Sequence, residues 1–132
     1  MKVIVCIDDN NGLMFNNRRQ SRDALLVQDI MGHLAGSTLF VSEYSGTLFE
    51  SYRSVIVNDL LLEIAEEDDF CFIEDKDVSE HWDDVSELIV YRWNRTYPAD
   101  TYFSFPSGIK LIHTSEFVGI SHEKITKEVY FK

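Results

Sequence analysis

Apolar residues in this chain fall into short runs separated by polar turns, a pattern that predicts alternating strands and helices. Two of these runs, Phe70–Ile73 and Leu88–Tyr91, are separated by about 14 residues. A connection of that length accommodates the crossover that parallel strands require. The segment Asp68–Trp93 therefore predicts a β-α-β unit with a short helix between its two strands.

The other runs extend this pattern along the chain. Lys2–Ile7 is β-branched and almost continuously apolar, which predicts a central strand buried on both faces. A loop is expected over Leu13–Gln20, and Ser21 is expected to cap a helix whose apolar residues recur at helical spacing until Gly36 ends it. Two further strands are predicted at Ser37–Val41 and Ser54–Val57, and helical turns at Gly46–Tyr52 and Leu60–Glu67. Near the C-terminus, Lys110–Glu116 and Ile125–Phe131 alternate between apolar and polar residues and are predicted as two more strands.

These elements predict one α/β domain over residues 1–132, with a mixed, mostly parallel sheet, helices on both faces and a C-terminal antiparallel hairpin whose outer face is exposed. A hydrophobic content of 45% is sufficient for a packed core. The chain opens on an apolar strand and contains no signal peptide or long apolar run, so we expect a soluble, cytoplasmic protein without membrane contact. Cys6 and Cys71 lie in strand-like runs and are expected to be buried free thiols.

The net charge of −11 argues against direct, sequence-general binding of nucleic acid, which depends on Lys and Arg side chains that neutralise phosphates. Two interpretations of this charge remain: it only keeps the protein soluble, or it attracts a basic protein partner. The turn after the first strand of the β-α-β unit also argues against an anionic ligand, because it reads Glu74-Asp75-Lys76-Asp77. Phosphate-binding turns at this position are usually rich in glycine, so that backbone N–H groups can approach the anion. The sequence therefore predicts that an anion site is absent or has been lost.

Several segments together resemble the dihydrofolate reductase family over nearly the whole chain. The similar segments are the first strand with Asp9–Met14, the acidic Asp23 near a helix start, Phe70–Val78, Leu88–Trp93 followed by Asp100–Phe103, and Ser115–Tyr130. The resemblance implies that family's fold. It also implies that Asp23 corresponds to the family's acidic residue, which binds the pterin and supports its protonation.

The chain departs from this family at the positions that carry its chemistry. Val41–Ser45 stands where the family has Met-Gly-Arg-x-Thr, and Glu74-Asp75 stands where it has Gly-Gly. Arg18–Ser21 replaces the Pro-Trp segment before the acidic residue. Each added charge near a phosphate costs roughly 1 kcal/mol in water and several at a shielded site. We therefore predict a retained scaffold that binds no NADPH and no other cofactor.

The first functional hypothesis is a non-enzymatic, acidic binding protein on a degenerate dihydrofolate-reductase-like scaffold. In its concrete form, the protein is an inhibitor or adaptor of the kind carried by phages and mobile elements, and it occupies a basic, nucleic-acid-binding groove on its partner. Salt dependence of binding is expected from such a contact. The predicted contact residues are all acidic: Glu66, Glu67, Asp68, Asp69, Glu74, Asp75, Asp77, Asp83 and Asp84.

Two alternatives belong to other classes. One is a pterin or folate reductase with altered cofactor use, in which Asp23 is catalytic. The other is a metal-dependent phosphoryl hydrolase or nuclease, whose ligands are expected to be Asp8, Asp9, Glu74 and Asp75. The four histidines show no metal-ligand spacing and are expected at the surface or partly buried, and the chain contains no nucleophile motif such as Gly-x-Ser-x-Gly.

Overall fold

The structure is a computed structural model that describes all residues, 1–132. Its strands follow the predicted order with additional short strands, and one predicted helix, between β6 and β7, is absent. The elements are β1 (Lys2–Ile7), β2 (Gly12–Phe15), β3 (Arg18–Arg19), α1 (Ala24–His33), β4 (Leu39–Val41), β5 (Ile56–Val57), α2 (Leu61–Ile64), β6 (Phe70–Ile73), β7 (Glu87–Arg92), β8 (Thr101–Tyr102), β9 (Lys110–Phe117) and β10 (Ile125–Phe131), with 3₁₀ turns at Ser45–Phe49 and Trp82–Asp84.

Seven strands form the main sheet in the order β5-β4-β6-β1-β7-β10-β9. The five from β5 to β7 are parallel, and β10 and β9 complete the sheet as an antiparallel pair. This arrangement confirms the predicted mixed, mostly parallel α/β sheet with a C-terminal hairpin. A second sheet of three strands, β3-β2-β8, lies beside it. None of the helices is long and apolar enough to cross a membrane.

Strand β1 is central because its residues are apolar on both faces. Ile4 packs with α1 in one core, whereas Val3 and Val5 pack with α2 in a second core on the opposite face. Cys6 contacts the first core and Cys71 belongs to the second, so the sheet separates the two free thiols. The prediction of a central strand buried on both faces, with helices on each side, is therefore confirmed.

The connection between β6 and β7 differs from the prediction. Both strands pair in parallel with β1, which lies between them, and the connection contains a single 3₁₀ turn in place of a helix. Its buried apolar residues are Val78 and Val85, and this is too few for an apolar stripe at helical spacing. Polar side chains form local turns instead, as where the Ser79 N–H donates to the Asp77 carboxylate.

Two predictions around α1 also need correction. The N-cap is Asp23, not Ser21: Asp23 has extended backbone, and its carboxylate accepts from the Leu25 N–H. The predicted loop at Leu13–Gln20 is instead the β2–β3 hairpin. Asn16 and Asn17 occupy its turn with φ of 51° and 59°, the left-handed conformation that a two-residue hairpin turn requires.

The C-terminal hairpin is present, but its outer strand is more exposed than alternation predicts. In β10 the side chains of Ile125 and Val129 are buried, whereas Leu111 and Ile112 in β9 are each about half exposed, at 50% and 51%. Strand β9 forms the edge of the sheet. A register shift beside Val129 in β10 further interrupts the pairing of the two strands.

Candidate functional site

A narrow cleft with a cavity volume of about 20 Å³, partly open to solvent, lies where β1 and β6 end and α1 begins. In parallel α/β sheets this carboxyl edge is the usual place for a ligand. Glu74 follows β6, Trp93 follows β7 and Asp23 precedes α1, so three separate segments of the chain meet there. Apolar side chains of Leu26, Leu48 and Phe72 form part of the cleft wall, together with Cys6.

Glu74 is buried at this edge and forms an ion pair with Arg19. Arg19 Nε donates to Glu74 Oε2 at 2.9 Å, and Arg19 Nη2 donates to Glu74 Oε1 at 3.0 Å. The Ser45 hydroxyl donates to Oε1 at 2.8 Å, and the Arg19 guanidinium lies over the Tyr44 ring at 4.6 Å. A two-point pair of this kind is strong and geometrically specific. Glu74 therefore contacts residues of its own chain and is too deep for a partner protein.

Two of the three segments in which the chain departs from the reductase family lie against each other. Ser42 donates to Asp75 Oδ1 at 2.7 Å, beside the contact between Ser45 and Glu74. Two carboxylates, each bound by a serine hydroxyl, therefore occupy the turn at which the resemblance places two glycines. These residues do not fit the phosphates of NADPH.

Asp8, the first proposed metal ligand, is fully buried and hydrogen-bonded within its own chain. Its carboxylate accepts from the N–H groups of Asn10, Gly12 and Tyr97 and from the Gln20 side chain. Burial favours a raised pKa, but these hydrogen bonds outweigh it and lower the pKa of Asp8. Asp9 is exposed and accepts from Thr96.

The four carboxylates of the predicted metal site are not gathered in one place. The chain contains no group of three or more His, Cys, Asp or Glu residues arranged to hold a metal ion. The hydrolase alternative required the ends of β1 and β6 to bring Asp8, Asp9, Glu74 and Asp75 together. That requirement is not met, because Asp8 turns toward backbone donors and Glu74 toward Arg19.

Asp23 is buried, and its carboxylate is also fully used by the protein. Besides capping α1, it accepts from the Ile120 and Ser121 N–H groups, each at 3.1 Å, and contacts His122 Nδ1 at 2.9 Å. Burial favours a raised pKa, but the hydrogen bonds from His122 and the backbone lower the pKa of Asp23 to about 2. Asp23 is therefore ionised at neutral pH and holds the segment 119–122 against the start of α1.

His122 is the site residue that the sequence did not reveal. It was expected at the surface or partly buried, but it is only 3% exposed. Its ring stacks on Trp93 with a centroid separation of 4.6 Å, and its Nε2 lies 2.8 Å from Ser21 Oγ. The three residues Ser21, His122 and Asp23 thus form one hydrogen-bonded chain. Since 99 residues separate Asp23 from His122, no local motif could have predicted it.

The predicted acidic contacts separate into two groups at opposite ends of the parallel strands. Asp75 and Asp77 are exposed and follow β6 at its carboxyl end. At the amino end of the sheet, Lys2 N donates to Asp69 O, and the N-terminal amine donates to Asp84 O. The loop that contains Asp69 and the loop that contains Asp84 therefore flank the start of β1. We name this group the acidic edge: Glu66, Glu67, Asp68, Asp69, Asp83 and Asp84.

The strand order, the two helix-covered faces and the position of the cleft define an α/β fold of a known type. Dihydrofolate reductase from Enterococcus faecalis, whose structure contains NADP(H) and RAB-propyl, is similar with a TM-score of 0.70 over 98% of this chain and 94% of that chain. The two sequences are 13% identical. No family model and no curated protein sequence matches the chain. The chain therefore has a dihydrofolate-reductase-like fold.

The depressed pKa of Asp23 predicts an acid-sensitive contribution to stability. A folded pKa of about 2 against an ordinary value of 3.8 stabilises the folded state by up to about 2 kcal/mol. This contribution is present above the unfolded pKa and is lost as pH falls through the folded pKa. We expect urea unfolding to show most of this loss between about pH 4 and pH 2 in the wild-type protein but not in Asp23→Asn. Equal losses in both proteins would contradict the assignment.

The Arg19–Glu74 pair predicts strong coupling between two residues that are 55 positions apart. Arg19→Met leaves a buried carboxylate unpaired and should cost roughly 3 kcal/mol or more in the free energy of unfolding. The double variant Arg19→Met/Glu74→Met should recover most of this loss. Urea unfolding of the single and double variants measures the coupling. Additive losses in the double variant would show that the pair is not coupled.

Proposed function

We propose that this protein is an acidic binding protein that uses its dihydrofolate-reductase-like scaffold to engage a basic, nucleic-acid-binding protein, without reductase chemistry. In its specific form, the protein is an inhibitor or adaptor of the phage or mobile-element type that competes with nucleic acid for a basic groove. The acidic edge is the observation that carries the proposal. It places six carboxylates on two neighbouring loops at one end of the sheet.

The electrostatics of this end favour a positively charged partner. Lys2 and Lys132 lie nearby, but Lys2 stacks over the Phe70 ring and Lys132 donates to the Trp82 carbonyl, and the carboxylates outnumber them. The whole chain carries −11, so its long-range field attracts cations from any direction. Complementary charge of this kind speeds association and aligns the two surfaces.

The carboxyl edge supports the proposal because its side chains argue against binding of NADPH there. The phosphate position contains Glu74, Asp75 and two serines, and the Asp23 carboxylate is occupied by donors from its own chain. Opening this edge for NADPH would break the Arg19–Glu74 pair. The acidic edge, at the amino end of the sheet, by contrast presents its carboxylates to solvent.

The binding proposal predicts a strong dependence on salt and on the position of the charges. The assay uses a lysine-rich DNA-binding protein on labelled duplex DNA, and it follows release of the duplex as our protein is added. The salt dependence is measured on direct binding of the two proteins without DNA, because salt alone also releases the duplex. Binding should weaken at least tenfold between about 50 and 300 mM salt, because screening shortens the electrostatic range to below about 10 Å. Binding that is insensitive to salt would contradict the proposal.

Two variants with the same net charge distinguish the effect of where the carboxylates lie from the effect of the total charge. The first neutralises part of the acidic edge, with Glu66→Gln, Glu67→Gln, Asp68→Asn and Asp83→Asn. The control neutralises four exposed glutamates elsewhere, Glu43, Glu50, Glu116 and Glu123, each to Gln. We expect the first to release DNA at least tenfold less effectively and the control to resemble the wild-type protein.

A second candidate, a small pterin-like ligand, is favoured by one observation. The side-chain oxygen of Gln20, which lines the cleft, is buried without a hydrogen-bond partner. Such an atom accepts an N–H from a ligand readily, because an unpaired buried acceptor is costly. The reductase alternative therefore depends on a folate-like molecule that reaches Gln20.

Thermal denaturation with added ligand distinguishes the two candidates. We expect NADPH, NADH and folates to leave the melting temperature unchanged, since side chains close the phosphate position and Asp23 has no free acceptor. A saturable shift with folate that is absent in both Asp23→Asn and Gln20→Ala would instead favour the reductase alternative.

A further inference from the structure

We propose that Ser21 is an activated nucleophile, with His122 as its general base and Asp23 as the positioning residue, and that it cleaves short-chain acyl esters. The geometry carries the proposal. Ser21 Oγ lies 2.8 Å from His122 Nε2, and His122 Nδ1 lies 2.9 Å from Asp23 Oδ2. These are the distances and the atom order of a Ser–His–Asp triad, which is recognised by geometry and not by sequence position.

The hydrogen bonds around the imidazole favour the tautomer that this role requires. The Asp23 carboxylate is ionised and otherwise accepts only N–H groups, so the imidazole presents its own N–H to it from Nδ1. The lone pair then lies on Nε2, toward the Ser21 hydroxyl. Tyr97 Oη is the other hydroxyl near Nε2, at 3.4 Å, and is the more distant one. A neutral imidazole in this tautomer accepts the serine proton.

The imidazole is also held rigidly. Trp93 stacks on its ring with an interplanar angle of 28°, and His122 O accepts from the Gly119 N–H at 2.9 Å. A Cβ atom at Gly119 would collide with the Asp23 carboxylate, so glycine allows this segment to wrap closely around Asp23. A nucleophilic site requires a base that neighbouring, non-reacting residues hold in place.

Ser21 is accessible, whereas its two partners are buried. It is partly exposed and lines the narrow cleft together with Leu26, Leu48 and Trp93, which suit a small apolar acyl group. The backbone N–H groups of Ser21 and Arg22 donate to no backbone carbonyl of the chain. In many hydrolases the N–H of the residue after the nucleophile helps to bind the oxyanion, and Arg22 occupies that position here.

The reaction balances without a cofactor. Ser21 Oγ bonds to the ester carbonyl carbon while its proton passes to His122 Nε2. The alcohol leaves with the electron pair of the broken C–O bond and takes that proton. Water then attacks the acyl-serine, again giving a proton to His122, and the carboxylic acid is released as Ser21 recovers its hydrogen. This site lies at the carboxyl edge of the sheet, so its failure would leave the binding proposal for the acidic edge intact.

The test uses a fluorophosphonate probe and p-nitrophenyl acetate on the full-length protein. We expect a single phosphonate adduct, located on Ser21 by peptide mass spectrometry. Ser21→Ala should fold normally, because Asp23 caps α1, and should lose both labelling and ester cleavage at least 100-fold. The control Ser107→Ala, at an exposed serine in a loop, should behave as wild type.

Asp23→Asn tests the positioning role separately. It preserves the shape of the side chain but favours the wrong imidazole tautomer, so labelling should slow by roughly a thousandfold while the protein remains folded. Absence of an adduct on Ser21, or labelling of Ser21→Ala at the wild-type rate, would overturn the proposal. Labelling of Asp23→Asn at the wild-type rate would show that Asp23 has no positioning role.

Discussion

The ion pair between Arg19 and Glu74 constrains the whole carboxyl edge of the sheet. A buried carboxylate without partners costs several kcal/mol, so Glu74 requires the two-point contact from Arg19 and the Ser45 hydroxyl. Arg19 reaches it from β3, and β3 exists because Asn16 and Asn17 form the tight turn of the hairpin. The Tyr44 hydroxyl accepts from the Arg19 N–H and fixes the strand. One charged pair therefore ties together the β2–β3 hairpin, the 3₁₀ turn after β4 and the end of β6.

Asp23 ties a second set of elements together by the same physical means. Its two oxygens accept from the first turn of α1 and from the segment 119–122, which precedes β10. An acidic residue at a helix start that could face a bound pterin is here directed at backbone N–H groups and His122. The position of a carboxylate therefore does not determine its role. The donors that surround it do, and in this fold they come from the same chain.

The sequence predicted the parallel centre of the fold because the signal there is local. Strands β1, β6 and β7 are continuous apolar runs, and burial on both faces makes such a run almost unambiguous. It predicted the β6–β7 connection and the face of β9 less well, because a 3₁₀ turn and an exposed edge strand have no distinctive period. The Asn16-Asn17 pair was a turn signal that could have predicted the β2–β3 hairpin. The contacts of Glu74 with Arg19 and of Asp23 with His122 join distant residues, and no spacing in one sequence reveals them.

The two ends of the parallel sheet differ in how far their carboxylates are occupied by the chain itself. At the carboxyl edge, where α/β folds commonly bind ligands, the carboxylates of Asp8, Asp23 and Glu74 each accept hydrogen bonds from donors in the chain, while Asp75 and Asp77 are exposed. At the amino edge, the loops at 66–69 and 83–84 leave their carboxylates largely to solvent. A buried carboxylate whose acceptor positions are occupied cannot contact a partner directly, whereas exposed charge of one sign attracts an oppositely charged partner over a Debye length. Long-range recognition is therefore expected at the amino edge. Within the cleft at the carboxyl edge, the Ser21 hydroxyl and the apolar wall beside it are what an ester substrate would meet.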